Sequence, residues 1–157
     1  NEQIYTVDQI VRTRLNDAAR AMNDLYRKSV EDSLDWNELS DQLKQSKIAV
    51  ADHLYMKIRI LLNGKRVSAI DSENCRVAYE AFCKAKEDPE ELDRLRRIEH
   101  ARWVRFYAYY NWSYGDKRND KRHENPMIRK YDMLTAGQKA YHDRAWELIG
   151  EMAKLLK

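Results

Sequence analysis

Only four glycines and two prolines interrupt the 157 residues, and this scarcity of chain-breakers is the strongest constraint on what the chain can become. A β-rich chain needs turn residues every few positions, whereas a set of long helices does not. Apolar residues at 43% and charged residues at 35% give each helix one buried and one solvated face, so the expected class is all-α. The length allows one domain with a real core, or two small halves sharing one.

Helical periodicity places the elements. From Val7 to Val30, apolar residues fall on one face at Val7, Ile10, Val11, Ala18, Met22, Leu25 and Tyr26. A short loop from Asp32 to Leu39 carries Trp36. Ser40 then caps a second helix bearing Leu43, Ile48, Ala51, Leu54, Ile58 and Leu61, which ends near Asn63 and Gly64. Cys75, Ala78, Tyr79, Phe82 and Ala85 predict a shorter helix, followed by a linker. Asp88 as N-cap, Pro89 and Glu91 start a helix that runs to about Tyr110. Thr135 with Gln138 forms a capping box for a last helix reaching Leu156. Between these two, Trp112 to Lys130 loses all periodicity and forms the one long loop. From Asp116 onward it holds six basic residues against Asp116, Asp120 and Glu124.

The chain carries a faint internal repeat. At one offset Trp36, Leu39, Ser40 and Lys44 superpose on Tyr131, Leu134, Thr135 and Lys139; at another, Met22 to Tyr26 lie against Glu99 to Trp103. The offsets differ because the long loop is an insertion in the second half. The expectation is therefore two related helix-pair halves in a pseudo-two-fold arrangement: 1–87, with a degenerate first half and a linker helix, and 88–157, with the long loop.

Charge narrows the function classes. With 29 Lys and Arg against 26 Asp and Glu, the formal charge of +3 is spread too evenly to require a polyanion, and nucleic acid is not an expected partner. Cys75 and Cys83 fit neither a CxxC metal site nor a disulfide framework, which favours a reducing, cytoplasmic setting. No apolar run approaches the roughly 20 residues of a spanning helix, and no signal peptide is seen. The start at Asn1 instead of Met points to a fragment of a longer parent, which can itself be membrane-associated. His53, His100, His123 and His142 are scattered, and no HExxH pattern or Ser/His/Asp set can be assembled from them. The reading is a non-enzyme with no metal and no resident cofactor.

Glu99-His100-Ala101-Arg102-Trp103, followed by Asn111-Trp112-Ser113-Tyr114-Gly115, Arg118, Asp120, Pro126, Tyr131 and Leu134, resembles the ryanodine-receptor repeat domain. The resemblance is specific over Leu92 to Trp146 and extends loosely over Asn16 to Leu62, where it is similar to bacterial members. Two departures stand out: Asn111 replaces the family's glycine before Trp112, and Asn125-Pro126 replaces its His-Pro. The resemblance implies a paired, all-helical regulatory part that can hold an adenine nucleotide between facing aromatics, alongside a channel, nucleotide-binding or defence domain.

On that basis Trp103 and its counterpart Tyr26 are the candidate stacking rings, with Arg102, Arg118 and Arg122 as candidate phosphate partners. His100, Trp112, Tyr114 and Tyr131 complete the candidate ligand-binding set. For Trp103 the alternative is a core anchor; for Trp112, Tyr114 and Tyr131 it is pinning of the long loop. The functional expectation is a ligand-sensing module that binds a small anionic or nucleotide-like molecule in a cleft between the halves. The alternative is a structural protein-protein interaction module.

Overall fold

The computed structural model describes residues 7–67 and 69–157, with side chains from residue 14 onward; those of Val7, Ile10 and Val11 lie outside the described residues. Seven α-helices follow in order among these residues: α1 Val7–Arg27, α2 Asp41–Asp52, α3 Leu54–Leu61, α4 Ser72–Ala85, α5 Pro89–Tyr109, α6 Ala136–Tyr141 and α7 Asp143–Leu155. Single 3-10 turns occupy Trp36–Glu38 and Tyr131–Met133, and isolated bridges within the long loop are the only extended pairing described. The fold is all-α. No helix among the described residues is long and apolar enough to cross a membrane.

Local chemistry explains the helix starts. The Ser40 hydroxyl accepts from Leu43 N, and the Asp88 carboxylate accepts from Glu90 N and Glu91 N with Pro89 behind it. Thr135 and Gln138 form a reciprocal capping box. Asp71 accepts from Asn74 N, so α4 begins at Ser72, three residues before the apolar pattern shows itself at Cys75. Two stops share one device. Asn63 (φ 55) follows α3 and Asn111 (φ 63) follows α5, each in the left-handed region that asparagine tolerates. Gly64 N then donates to Arg59 O and Trp112 N to Tyr107 O, closing a Schellman motif at each end.

The repeat in sequence is also a repeat in local structure. A long helix comes first in each case, α1 or α5. A 3-10 turn then opens on the aligned aromatic, Trp36 or Tyr131. An extended Leu follows (Leu39 φ −69, ψ 141; Leu134 φ −73, ψ 147), and then a hydroxyl N-cap. The helix after each cap is interrupted at a histidine, which differs from the continuous helices expected: α2 gives way to α3 at His53, and α6 to α7 at His142. Both histidines stay near helical angles (ψ −1 and −14), so neither break is a turn that a Gly or Pro would announce.

Two compact units result, residues 1–82 with 144–157, and residues 83–143. In the first, α1 packs on α2, and α4 packs on α7: Phe82 and Trp146 stack at 6.2 Å, Tyr79 Oη donates to Glu147 Oε2 at 2.7 Å, and Ser72 Oγ donates to Ala153 O at 2.6 Å. Gly150 admits the Tyr79 ring so closely that a Cβ there would lie 2.8 Å from Cε2. In the second unit, Trp103, Tyr107 and Trp112 form the core beside the end of α5.

The long loop is ordered around one of these rings. His123 lies parallel to the Trp112 indole, 5.1 Å away at 5°, and Tyr107 meets it edge-on. Ser113 N donates to His123 O, Asn125 N to Ser113 O, and Asn119 and Glu124 exchange both backbone bonds. Gly115 passes so near Glu124 that a Cβ would lie 2.6 Å from its Cβ. Asn125 is buried, and its Oδ1 accepts from Met127 N, turning the chain at Pro126.

Candidate functional site

In the second unit, α5 presents Glu99, His100 and Trp103 on its buried side, and Tyr107 one turn further on. Trp103 is 7% exposed, in contact with Tyr107 at 4.4 Å and stacked near-parallel on His100 at 6.0 Å. His100 bonds on both sides, its Nδ1 2.9 Å from His142 Nε2 and its Nε2 2.6 Å from Arg129 O. Burial holds the His100 imidazole below its usual pKa, against the upward pull of the Arg129 carbonyl and of Glu99. Tyr131 is likewise buried; its Oη donates to Asp93 Oδ1 at 2.8 Å, and Arg97 and Lys139 approach its ring at 4.5 and 5.0 Å. Burial and then the Asp93 carboxylate raise its phenol pKa. These rings pack against their own unit's side chains, the arrangement of structural anchors.

The three arginines singled out in the sequence are each held by a carboxylate. Arg102 Nε bonds the buried Glu99 at 2.9 Å, Arg118 Nε bonds Asp120 at 2.8 Å, and Arg122 Nε lies 3.0 Å from Glu124. Arg118 also covers the Trp112 indole at 5.7 Å. Partial burial works against its charge, but Asp120, with Tyr107 and Tyr141, raises its pKa on balance. Tyr114 is the exposed member of the set at 47%, with its Oη donating to Asp116 and the Arg129 guanidinium 5.7 Å above its ring.

In the first unit, Tyr26 in the last turn of α1 gathers cations that sequence reading missed. The Lys47 ammonium from α2 lies 4.1 Å from the ring centroid, and the Arg144 guanidinium from α7 lies 5.5 Å away. Lys47 is buried, at 8% exposure. Ser29 fixes Arg144: its Oγ accepts from Arg144 Nε at 2.8 Å and donates to Tyr26 O at 3.2 Å. Nearby in chain, the fully buried Lys57 donates to His53 Nδ1 at 2.9 Å and lies 5.5 Å from the Trp146 ring. Neither Lys47 nor Arg144 is close to Tyr26 in sequence, and no local pattern links them.

No protein-family model, no curated protein and no solved structure matches the chain. Among the described residues no group of three or more His, Cys, Asp and Glu is placed to hold a metal ion.

Proposed function

We propose that the chain is a non-enzymatic regulatory module that binds a small anionic, nucleotide-like ligand and passes its occupancy to another domain of a longer, cytoplasmic-facing parent protein. The observation that supports it most is the pair of cations over one ring: Lys47 and Arg144 both approach Tyr26, the residue expected to face the ligand. A cation over an aromatic face is stabilised by about 0.5–2 kcal/mol and can still donate N–H bonds to an anion beside the ring. Arg144 is also preorganised by Ser29, so little side-chain order is lost on binding. The resemblance of Leu92 to Trp146 to the ryanodine-receptor repeat points the same way, toward an adenine nucleotide as the ligand and a channel, nucleotide-binding or defence domain as the partner.

On this reading the anionic group lies on Lys47 and Arg144. The test is thermal unfolding with ATP, ADP, NAD, ADP-ribose and cyclic nucleotides, for the native chain and for Arg144→Gln and Trp103→Ala. A ligand at 100 times its Kd adds about 2.7 kcal/mol of stability. A saturable rise that Arg144→Gln removes is expected. No rise with any member of the panel, in a well-folded sample, overturns it.

The second reading, a structural interaction module without a small ligand, is favoured by the burial of Trp103, Trp112 and Tyr131 against their own unit. It predicts that no member of the panel stabilises the native chain and that Trp103→Ala lowers the melting temperature.

A further inference from the structure

The first unit contains an apolar cavity of about 330 Å³, remote in chemistry from the Tyr26 cations. Its walls come from four places: Leu15 and Ala18 of α1, Ala51 and Leu54 flanking the break between α2 and α3, Ile70 before α4, and Met152 of α7. Four of the wall residues, Ala18, Ala51, Leu54 and Met152, are buried core positions, so the floor of the cavity is the packed interior. Helical interiors leave few voids larger than a water molecule, and a cavity of about 150 Å³ lined by Leu, Ile and Phe already admits benzene. The size falls in the range of small-molecule sites, roughly 300–1,000 Å³, which are apolar with a few polar groups at one end.

The rim here carries one positive and one negative group, Arg14 and Asp52, both exposed. Tyr55 also lines the cavity, with its hydroxyl donating to Val67 O at 3.2 Å. Opposite charges at the mouth offset each other for any charged head, whereas an uncharged head that both donates and accepts is served by both.

We infer that this cavity is a binding site for a small apolar molecule with an uncharged, hydrogen-bonding head group, its hydrocarbon part between Ala18, Ala51, Leu54 and Met152 and its head between Arg14 and Asp52. The site shares no residue with the Tyr26, Lys47 and Arg144 cluster, so it stands or falls apart from the anion reading.

The experiment is methyl and amide NMR of the full chain titrated with 1-octanol, octanoate and octylamine, three probes with one apolar tail and three head groups. The expected result is saturable movement of the Leu15, Leu54, Ile70 and Met152 signals with 1-octanol, at a Kd at least tenfold below that of either charged probe. Ala51→Leu, which fills the cavity, is expected to weaken 1-octanol binding at least tenfold; Ala18→Leu serves the same purpose should the first variant not fold. Absence of saturable movement with 1-octanol overturns the inference. So does binding that persists unchanged in a folded filling variant, or a charged probe that binds as well as the alcohol.

Discussion

His100 and His142 share a hydrogen bond in the interior of the second unit, Nδ1 to Nε2 at 2.9 Å. The other nitrogen of His100 faces Arg129 O at 2.6 Å and must donate to it, since a carbonyl only accepts. In its neutral form His100 therefore accepts at Nδ1, and His142 donates from Nε2. One imidazole thus sets the tautomer of the other.

Because burial depresses the His100 pKa, the folded state binds protons less readily there than the unfolded chain, whose histidine titrates near 6.5. The stability this group contributes is fully present above that value and is lost as pH falls below it toward the folded pKa. Urea unfolding at about pH 7.5 and 5.5 should show a drop for the native chain. His100→Gln keeps a donor for Arg129 O and cannot titrate, so its drop should be smaller. An equal drop in both would remove His100 from the account.

Gly150→Ala is expected to destabilise by about 1–3 kcal/mol, although alanine gains about 1 kcal/mol of helix propensity over glycine. The new methyl meets three atoms of the Tyr79 ring at 2.8 to 3.0 Å, and that ring is tethered through its hydroxyl to Glu147. In a Tyr79→Ala background the same change should be neutral or stabilising. A double-mutant cycle by chemical denaturation reads the difference.

Trp112→Ala should release the long loop, since the ring that His123 and Tyr107 pack on disappears. A loss of about 3–5 kcal/mol is expected for a buried Trp. Hydrogen exchange provides the sharper reading: the amides of Ser113, Asn119, Glu124 and Asn125, all bonded within the loop, should lose protection before those of α5.

Thr135→Ala should cost about 1 kcal/mol, and Ser40→Ala a similar amount, because each removes the hydroxyl that accepts a first-turn N–H. Thermal melts of the two variants check the pair; a change much larger at Thr135 would reflect the reciprocal Gln138 bond that Ser40 lacks.

What was legible in the sequence follows from the range of the interactions. Ser40, Asp88 and Thr135 announce their helices because a cap is read within three residues of itself. The breaks at His53 and His142 carry no such sign: both residues keep helical angles, and their partners Lys57 and His100 act through side chains. Residues 112–130 read as a loop because periodicity stops, but its order is set by Trp112, whose packing no composition reveals. The site shows the same divide. Arg102, Arg118 and Arg122 are candidate phosphate partners by the resemblance, but acidic neighbours three or two residues away claim them. Lys47 and Arg144 come to Tyr26 only through the packing of α2 and α7 with α1.

The division of the chain has a consequence during synthesis. Along the chain the second unit, 83–143, is one unbroken stretch between the two segments of the first, 1–82 and 144–157. As the ribosome delivers the chain, the inner unit is complete while the outer one still lacks α7 and the Trp146 on which Phe82 stacks. Domains fold in order of emergence. Here the unit begun first is finished last, and Phe82 lacks its Trp146 partner until residues 144–157 emerge.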